Sequence, residues 1–221
     1  MSEPRLILAS GSPRRHELLR LLELPFEVVV ADLDEAPRAD ETPVELVTRL
    51  SRAKAVGVAQ RHHRGLVIAC DTIVVLQNSH DGARVLGKPC DRKEAETMLR
   101  QLRGRSHLVY SAVTIMDRLG NTTTELAETR LTMRYYTEAE LAAYVASGDP
   151  LDKAGAYAIQ HEGFHPVQDI EGCYANVMGL PLCHVARSLR TRGWAVATDV
   201  PAACQAHTGR RCNIYLETIQ P

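Results

Sequence analysis

The chain has 221 residues, 45% hydrophobic and 24% charged, enough apolar material for one large domain or two closely joined lobes. Lys and Arg total 26 against 27 acidic residues, a net charge of −1 that excludes the broad basic surface needed for nucleic-acid or membrane binding. Six cysteines without a C-x-x-C pair, no secretory apolar region after Met1 and no membrane-length apolar run predict reduced thiols in a cytoplasmic protein.

Leu6 to Ala9 is a short apolar run that reads as a buried strand. It breaks at Ser10-Gly11-Ser12, and Ser12 before Pro13 marks a helix start whose apolar face is Leu18, Leu19, Leu21 and Leu22. Phe26 to Ala31 reads as a second strand, followed by an acidic loop from Asp32 to Glu35. Thr42-Pro43-Val44-Glu45 is a capping box opening a long helix that carries Val47, Leu50 and Ala53 inward. His62 and His63, between Arg61 and Arg64, read as the cationic end of that helix. Leu66 to Cys70 reads as a strand ending at Asp71-Thr72, and Ile73 to Leu76 with Arg84 to Leu86 as a hairpin around Asn78 to Gly82.

Asp91 caps a further helix that stops at Gly104. Leu108 to Met116 and Thr122 to Tyr135 are strand candidates joined by a turn at Leu119-Gly120-Asn121. Thr137 and Glu140 form a second capping box, with Gly148 as the stop. Lys153 to Gln160 reads as mixed loop and strand, and Asn176 to Arg192 as the last helix of the body. Periodicity fades after Trp194, so residues 1–194 are expected to form the folded domain and 195–221 a tail of uncertain order. Alternating strands and helices followed by paired strands predict an α/β domain with a mixed sheet.

Two constellations look chemical. Ser10 to Arg15 places a helix N-terminus, two hydroxyls and two arginines after a strand, a ready anion site. Asp71-Thr72 puts a carboxylate at a strand end, and Lys54, Lys88 and Lys153 supply cations elsewhere. Taken singly, each also reads as an ordinary cap or solvated surface. Other motifs fail on local grounds. His161-Glu162-Gly163-Phe164-His165 matches the zinc-protease pattern, but Gly163 and Pro166 oppose the helix it requires. Gly82 to Lys88 mimics a P-loop, yet Pro89 replaces the hydroxyl residue that would meet Mg²⁺. Cys204, His207 and Cys212 lack a fourth ligand and any standard zinc spacing.

The stretches LILASGSPRRHELL, ACDTIVV, GKPCDRKEA, YVASGDPLDKAGAYAIQ and EGCYANVMGLPL, in this order from residue 6 to 182, resemble the successive blocks of the Maf family of nucleotide pyrophosphatases. The resemblance implies an α/β fold with a mixed twisted sheet, flanking helices and two lobes around a central cleft, like inosine-triphosphate pyrophosphatases. It implies cleavage of dTTP, UTP and modified uridine triphosphates to the monophosphate and pyrophosphate, with a divalent cation such as Mg²⁺ or Mn²⁺. It casts Asp71 as general base, Ser10, Arg15, Lys54 and Lys88 as phosphate-binding, and Glu35 with Asp71 as metal-holding. Arg14, Thr72 and Gln160 match the positions that mark the branch acting on dTTP and UTP. A house-cleaning or septum-linked role also follows from the resemblance. The expected partner is a nucleoside triphosphate, with no nucleic acid and no membrane, and a homodimer is left open.

Overall fold

The structure is a computed structural model that describes residues 5–62, 65–78 and 82–219. The proposed cationic helix end at His63 and Arg64 and the hairpin turn at residues 79–81 lie outside the described residues. Among the described residues, no helix is long and apolar enough to cross a membrane.

The strands are β1 (Arg5–Ala9), β2 (Phe26–Val28), β3 (Gly65–Asn78), β4 (Gly82–Leu86), β5 (Ser106–Met116), β6 (Thr122–Met133) and β7 (Val167–Glu171). They form one mixed sheet in the order β2-β1-β3-β5-β6-β7, with β4 also paired to β3. The helices are α1 (Pro13–Arg20), α2 (Pro43–Ala59), α3 (Arg92–Leu102), α4 (Glu138–Ala146), α5 (Tyr174–Met178), α6 (Leu182–Arg190), α7 (Val200–Thr208) and α8 (Tyr215–Ile219). The expected α/β class with a mixed sheet and flanking helices is the one observed.

Strand alternation sorts the core into two unequal layers. Val67, Ala69, Ile73 and Val75 of β3 face α2, whose Val47, Ala55 and Val58 are fully buried. Leu66, Ile68, Cys70, Val74 and Leu76 point the other way, into a larger core with Leu18 and Leu19 of α1, Leu99 of α3 and Val185 of α6. The capping boxes at Thr42/Glu45 and Thr137/Glu140 are formed in both directions, and Asp91 accepts from the Glu94 N–H.

Several local expectations need correction. The hairpin arm and the Asp71-Thr72 strand end are one continuous strand, because β5 pairs along β3 from Val67 to Val75 without interruption. What changes is the other edge. Parallel β1 occupies it up to Ala69, antiparallel β4 from Val74, and the stretch between meets neither. The expected helix from Asn176 to Arg192 is two helices, split by Gly179-Leu180-Pro181. Gly179 has φ +114°, a region that favours glycine, and Pro181 lacks an N–H and disfavours helical geometry at Leu180. Lys153 to Gln160 holds no strand but one 3₁₀ turn, Ala154–Ala156, directly after another at Asp149–Asp152, and Gly155 and Ala156 are both at positive φ. The second strand stops at Val28 instead of Ala31, and Ala53 is only partly buried while Ser51 and Lys54 turn inward. The edge strand β7 had no clear periodic signal.

Beyond Trp194 the chain forms α7 and α8. Val196 and Val200 are buried, Cys204 packs on the main core, and Arg187 of α6 donates to the Thr218 carbonyl. Thr198 donates to the Leu22 carbonyl at the end of α1.

Candidate active site

A cleft of about 700 Å³ opens where β3 is left without a neighbour between β1 and β4. One lobe contributes the β1–α1 turn, the acidic loop and α2. The other contributes the end of β4 and the 152–160 loop. The parallel strand β1 ends at this gap, a place where α/β sheets often bind ligands. Every residue singled out from the sequence lines it: Ser10, Arg14, Arg15, Glu35, Lys54, Asp71, Thr72, Lys88 and Gln160.

Asp71 and Thr72 are neighbours, so their side chains leave opposite faces of β3. On the α2 face, the buried Lys54 ammonium lies 2.5 Å from Asp71 Oδ1 and 2.6 Å from Glu35 Oε1. Burial pushes the Glu35 carboxyl up, but its hydrogen bond and ion pair with Lys54, reinforced by Lys88 and Arg15, hold it below the ordinary glutamate value. On the other face, Thr72 Oγ1 accepts from Arg15 Nη2 at 3.0 Å and lies 2.8 Å from Ser111 Oγ.

Arg15 ties the two ends of the cleft together. Its Nε donates to the Gly179 carbonyl at 2.8 Å and its Nη1 to Ser10 Oγ at 3.3 Å. Ser10 Oγ also accepts the Ser12 N–H, whereas the side chain of the N-cap Ser12 accepts from no helix amide. Cys70 Sγ donates to the same Gly179 carbonyl at 3.1 Å, and burial raises its pKa, keeping the thiol protonated for that bond. By contrast, Arg14, Lys88 and Gln160 make no hydrogen bond or ion pair among the described residues. Their heads remain available to a ligand.

Glu35 and Asp71 converge on one cation, the Lys54 ammonium. Among the described residues no three His, Cys, Asp or Glu side chains are placed to hold a metal. Two carboxylates suit Mg²⁺ or Mn²⁺, which bind proteins through one or two carboxylates and take their remaining ligands from substrate phosphates and water. The donor set fits such a cation brought in with a nucleotide. The rejected motifs also sit as expected. His161 to His165 is a turn in which His161 Nδ1 accepts the Phe164 N–H, and Gly82 to Leu86 is β4.

Sequence reasoning missed three parts of the site. The Gly179 carbonyl, Ser111 and Asn176 bear on Thr72 and Arg15 only through strand register and the break after α5. Thr72 pairs with Ser111 across β3 and β5, a relation no local motif announces.

The fold and cleft define an α/β protein built to take a polyanion beside a paired carboxylate. The chain belongs to the Maf family: the family described as Maf-like protein matches residues 5–192. It is 45% identical to a dTTP/UTP pyrophosphatase of Pelotomaculum thermopropionicum over 192 residues, covering 86% of this chain and 98% of that relative. It is 47% identical to a dTTP/UTP pyrophosphatase of Myxococcus xanthus, covering 85% and 92%, and 44% identical to one of Bacillus mycoides, covering 84% and 94%. A solved nucleoside-triphosphatase / dITP/XTP pyrophosphatase from Mycobacterium abscessus covers 86% of this chain and 96% of its own at 14% identity and TM-score 0.42, a likeness too slight to carry weight.

Proposed function

We propose that the protein hydrolyses nucleoside triphosphates, dTTP and UTP foremost and base-modified uridine triphosphates with them, to the monophosphate and pyrophosphate. The observation that carries this reading is the carboxylate pair Asp71 and Glu35 sharing one cleft with Lys88 and Arg14, whose side chains make no hydrogen bond or ion pair among the described residues. The names of the curated relatives point to the same substrates.

In this mechanism Ser10, Arg15 and Lys88 surround the phosphates, with Arg14 and Gln160 free to meet the base and sugar. A divalent cation held by Glu35 and Asp71 would lower the pKa of bound water and neutralise phosphate charge. Asp71 takes a proton from the attacking water as its oxygen bonds to the α-phosphorus. The bond from that phosphorus to the bridging oxygen breaks, and pyrophosphate leaves. Lys54, released from Asp71 as that carboxylate gains a proton, can offer its charge to the phosphates. Gln160 can donate its amide hydrogen to a carbonyl beside the N3–H of uracil or thymine. We take residues 1–194 as the catalytic unit and 195–221 as an accessory segment, whose helices α7 and α8 pack on α6, in a cytoplasmic enzyme.

The test is an incubation with Mg²⁺ or Mn²⁺ and each common nucleoside triphosphate. Pyrophosphate, with dTTP and UTP fastest, is expected. Orthophosphate alone, or GTP as the best substrate, overturns the reading.

A further inference from the structure

We infer that Ser111 is a specificity-determining positioning residue, which acts by fixing the direction of the Thr72 hydroxyl hydrogen. The inference rests on the reading of Thr72 as part of the base-reading set. Thr72 Oγ1 has one hydrogen to donate and two lone pairs to accept with. Arg15 Nη2 can only donate, so it occupies one lone pair, at 3.0 Å. Ser111 Oγ, fully buried on β5, lies 2.8 Å from Thr72 Oγ1 and 3.2 Å from the Asn176 carbonyl. A carbonyl can only accept, so the Ser111 hydrogen goes to Asn176 and the Thr72 hydrogen goes to Ser111. The competing acceptor, the Gly179 carbonyl, is farther from Thr72 at 3.4 Å and already holds Arg15 Nε and Cys70 Sγ.

The chain of bonds therefore runs one way, from Arg15 to Thr72 to Ser111 to Asn176. Its inner end is anchored. The Asn176 side-chain amide donates to the Val109 carbonyl at 3.1 Å and to Thr129 Oγ1 at 2.9 Å, and the residue is fully buried. Thr129 in turn bonds the backbone N–H and C=O of Cys173 at the start of α5. The consequence appears at the other end. With its hydrogen committed inward and one lone pair taken by Arg15, Thr72 keeps a single lone pair for the cleft that it lines. It offers an acceptor and no donor. Such a group pairs with the N3–H of uracil or thymine and meets the bare N3 of cytosine lone pair to lone pair. Buried polar groups left unpaired are what let a site reject a near-isosteric substrate.

Ser111→Ala removes the inward acceptor, so the Thr72 hydrogen can turn to cytosine N3. The experiment compares kcat/KM for UTP and CTP in wild type, Ser111→Ala and the near-isosteric Ser111→Cys, each checked by thermal unfolding. The expected result is a UTP-over-CTP ratio at least tenfold lower in Ser111→Ala, with CTP turnover rising in absolute terms. A purely structural role would lower both substrates together. An unchanged ratio in folded Ser111→Ala, or in folded Ser111→Cys should the alanine variant not fold, overturns the role of Ser111. A wild type that does not prefer UTP to CTP overturns instead the pyrimidine reading and, with it, this inference.

Discussion

The two faces of β3 solve different problems with adjacent residues. On the α2 face the layer is thin and the polar group is ionic: Asp71, Lys54 and Glu35 form a charge triad beside small side chains such as Ala55 and Ala69. On the opposite face the core is large, and Thr72, Ser111, Asn176 and the Gly179 carbonyl form a mostly neutral network joined to one cation, Arg15. Half-exposed Glu35 lets this ionic group exchange partners with a ligand and a metal. A buried neutral network is directional and hard to rearrange. In the proposed mechanism, bond cleavage belongs to the first face and recognition to the second.

The sharpest way to break this comparison is Asp71→Asn. Turnover of every nucleotide is expected to fall by ~10²–10⁴, the usual cost of losing a general base, while thermal unfolding stays near wild type. Near-wild-type pyrophosphate release from the folded variant would remove Asp71 from the mechanism. Lys88→Ala tests the phosphate end. A loss of kcat/KM on the order of 10², the scale for one electrostatic donor, is expected equally for UTP, dTTP and CTP. A loss confined to one base would place Lys88 at the other end of the cleft. Gln160→Glu should leave poor substrates unchanged but lower dTTP and UTP hydrolysis, measured as the ratio of their kcat/KM to that of GTP. An unaltered ratio would assign base selection elsewhere.

Smaller effects sharpen the picture behind the recognition face. His107, fully buried on β5, bonds Tyr157 Oη at 2.8 Å, and burial pulls its pKa down to about 4. The folded protein therefore holds His107 neutral while the unfolded chain takes up a proton below its ordinary value of 6.5. Stability present above that value is lost as pH falls toward 4, by up to about 3 kcal/mol, and levels off below it. His107→Gln, which keeps a partner for Tyr157, should flatten this part of the stability curve in urea titrations at stepped pH. An unchanged slope would show that His107 is protonated in the fold or that other groups dominate.

Local signals in the sequence were read correctly where the physics is local. The capping boxes at Thr42 and Thr137, the Asp91 cap and the start at Pro13 depend on three or four consecutive residues, and all are formed. The gap in the sheet was not legible. It arises because β3 changes partner along one edge while keeping β5 along the other, which leaves the strand itself locally ordinary. Asp71-Thr72 accordingly looked like a strand end. Lys54 was marked through resemblance, whereas its burial follows from the helix face that turns Ser51, Lys54 and Ala55 inward together. The split between α5 and α6 was visible in Gly179 and Pro181, and the apolar residues around them masked it. In the last segment, Asp199 before Pro201 and the stop at Gly209 carried the start and end of α7, a helix too weakly amphipathic to show by periodicity.

The register of β3 against β5 gives the order of the Asp71-Thr72 pair a handedness. Asp71 lies opposite Ala112 and Thr72 opposite Ser111, so each side chain is sent to its face by counting alone. A protein with the same two residues transposed would have the same composition, the same cleft and the same charge. It would nevertheless send a carboxylate toward Arg15, Ser111 and the Gly179 carbonyl, acceptor against acceptor at the last, and leave Lys54 facing a hydroxyl. The dipeptide therefore works as an address: the same two letters in the other order reach the wrong faces.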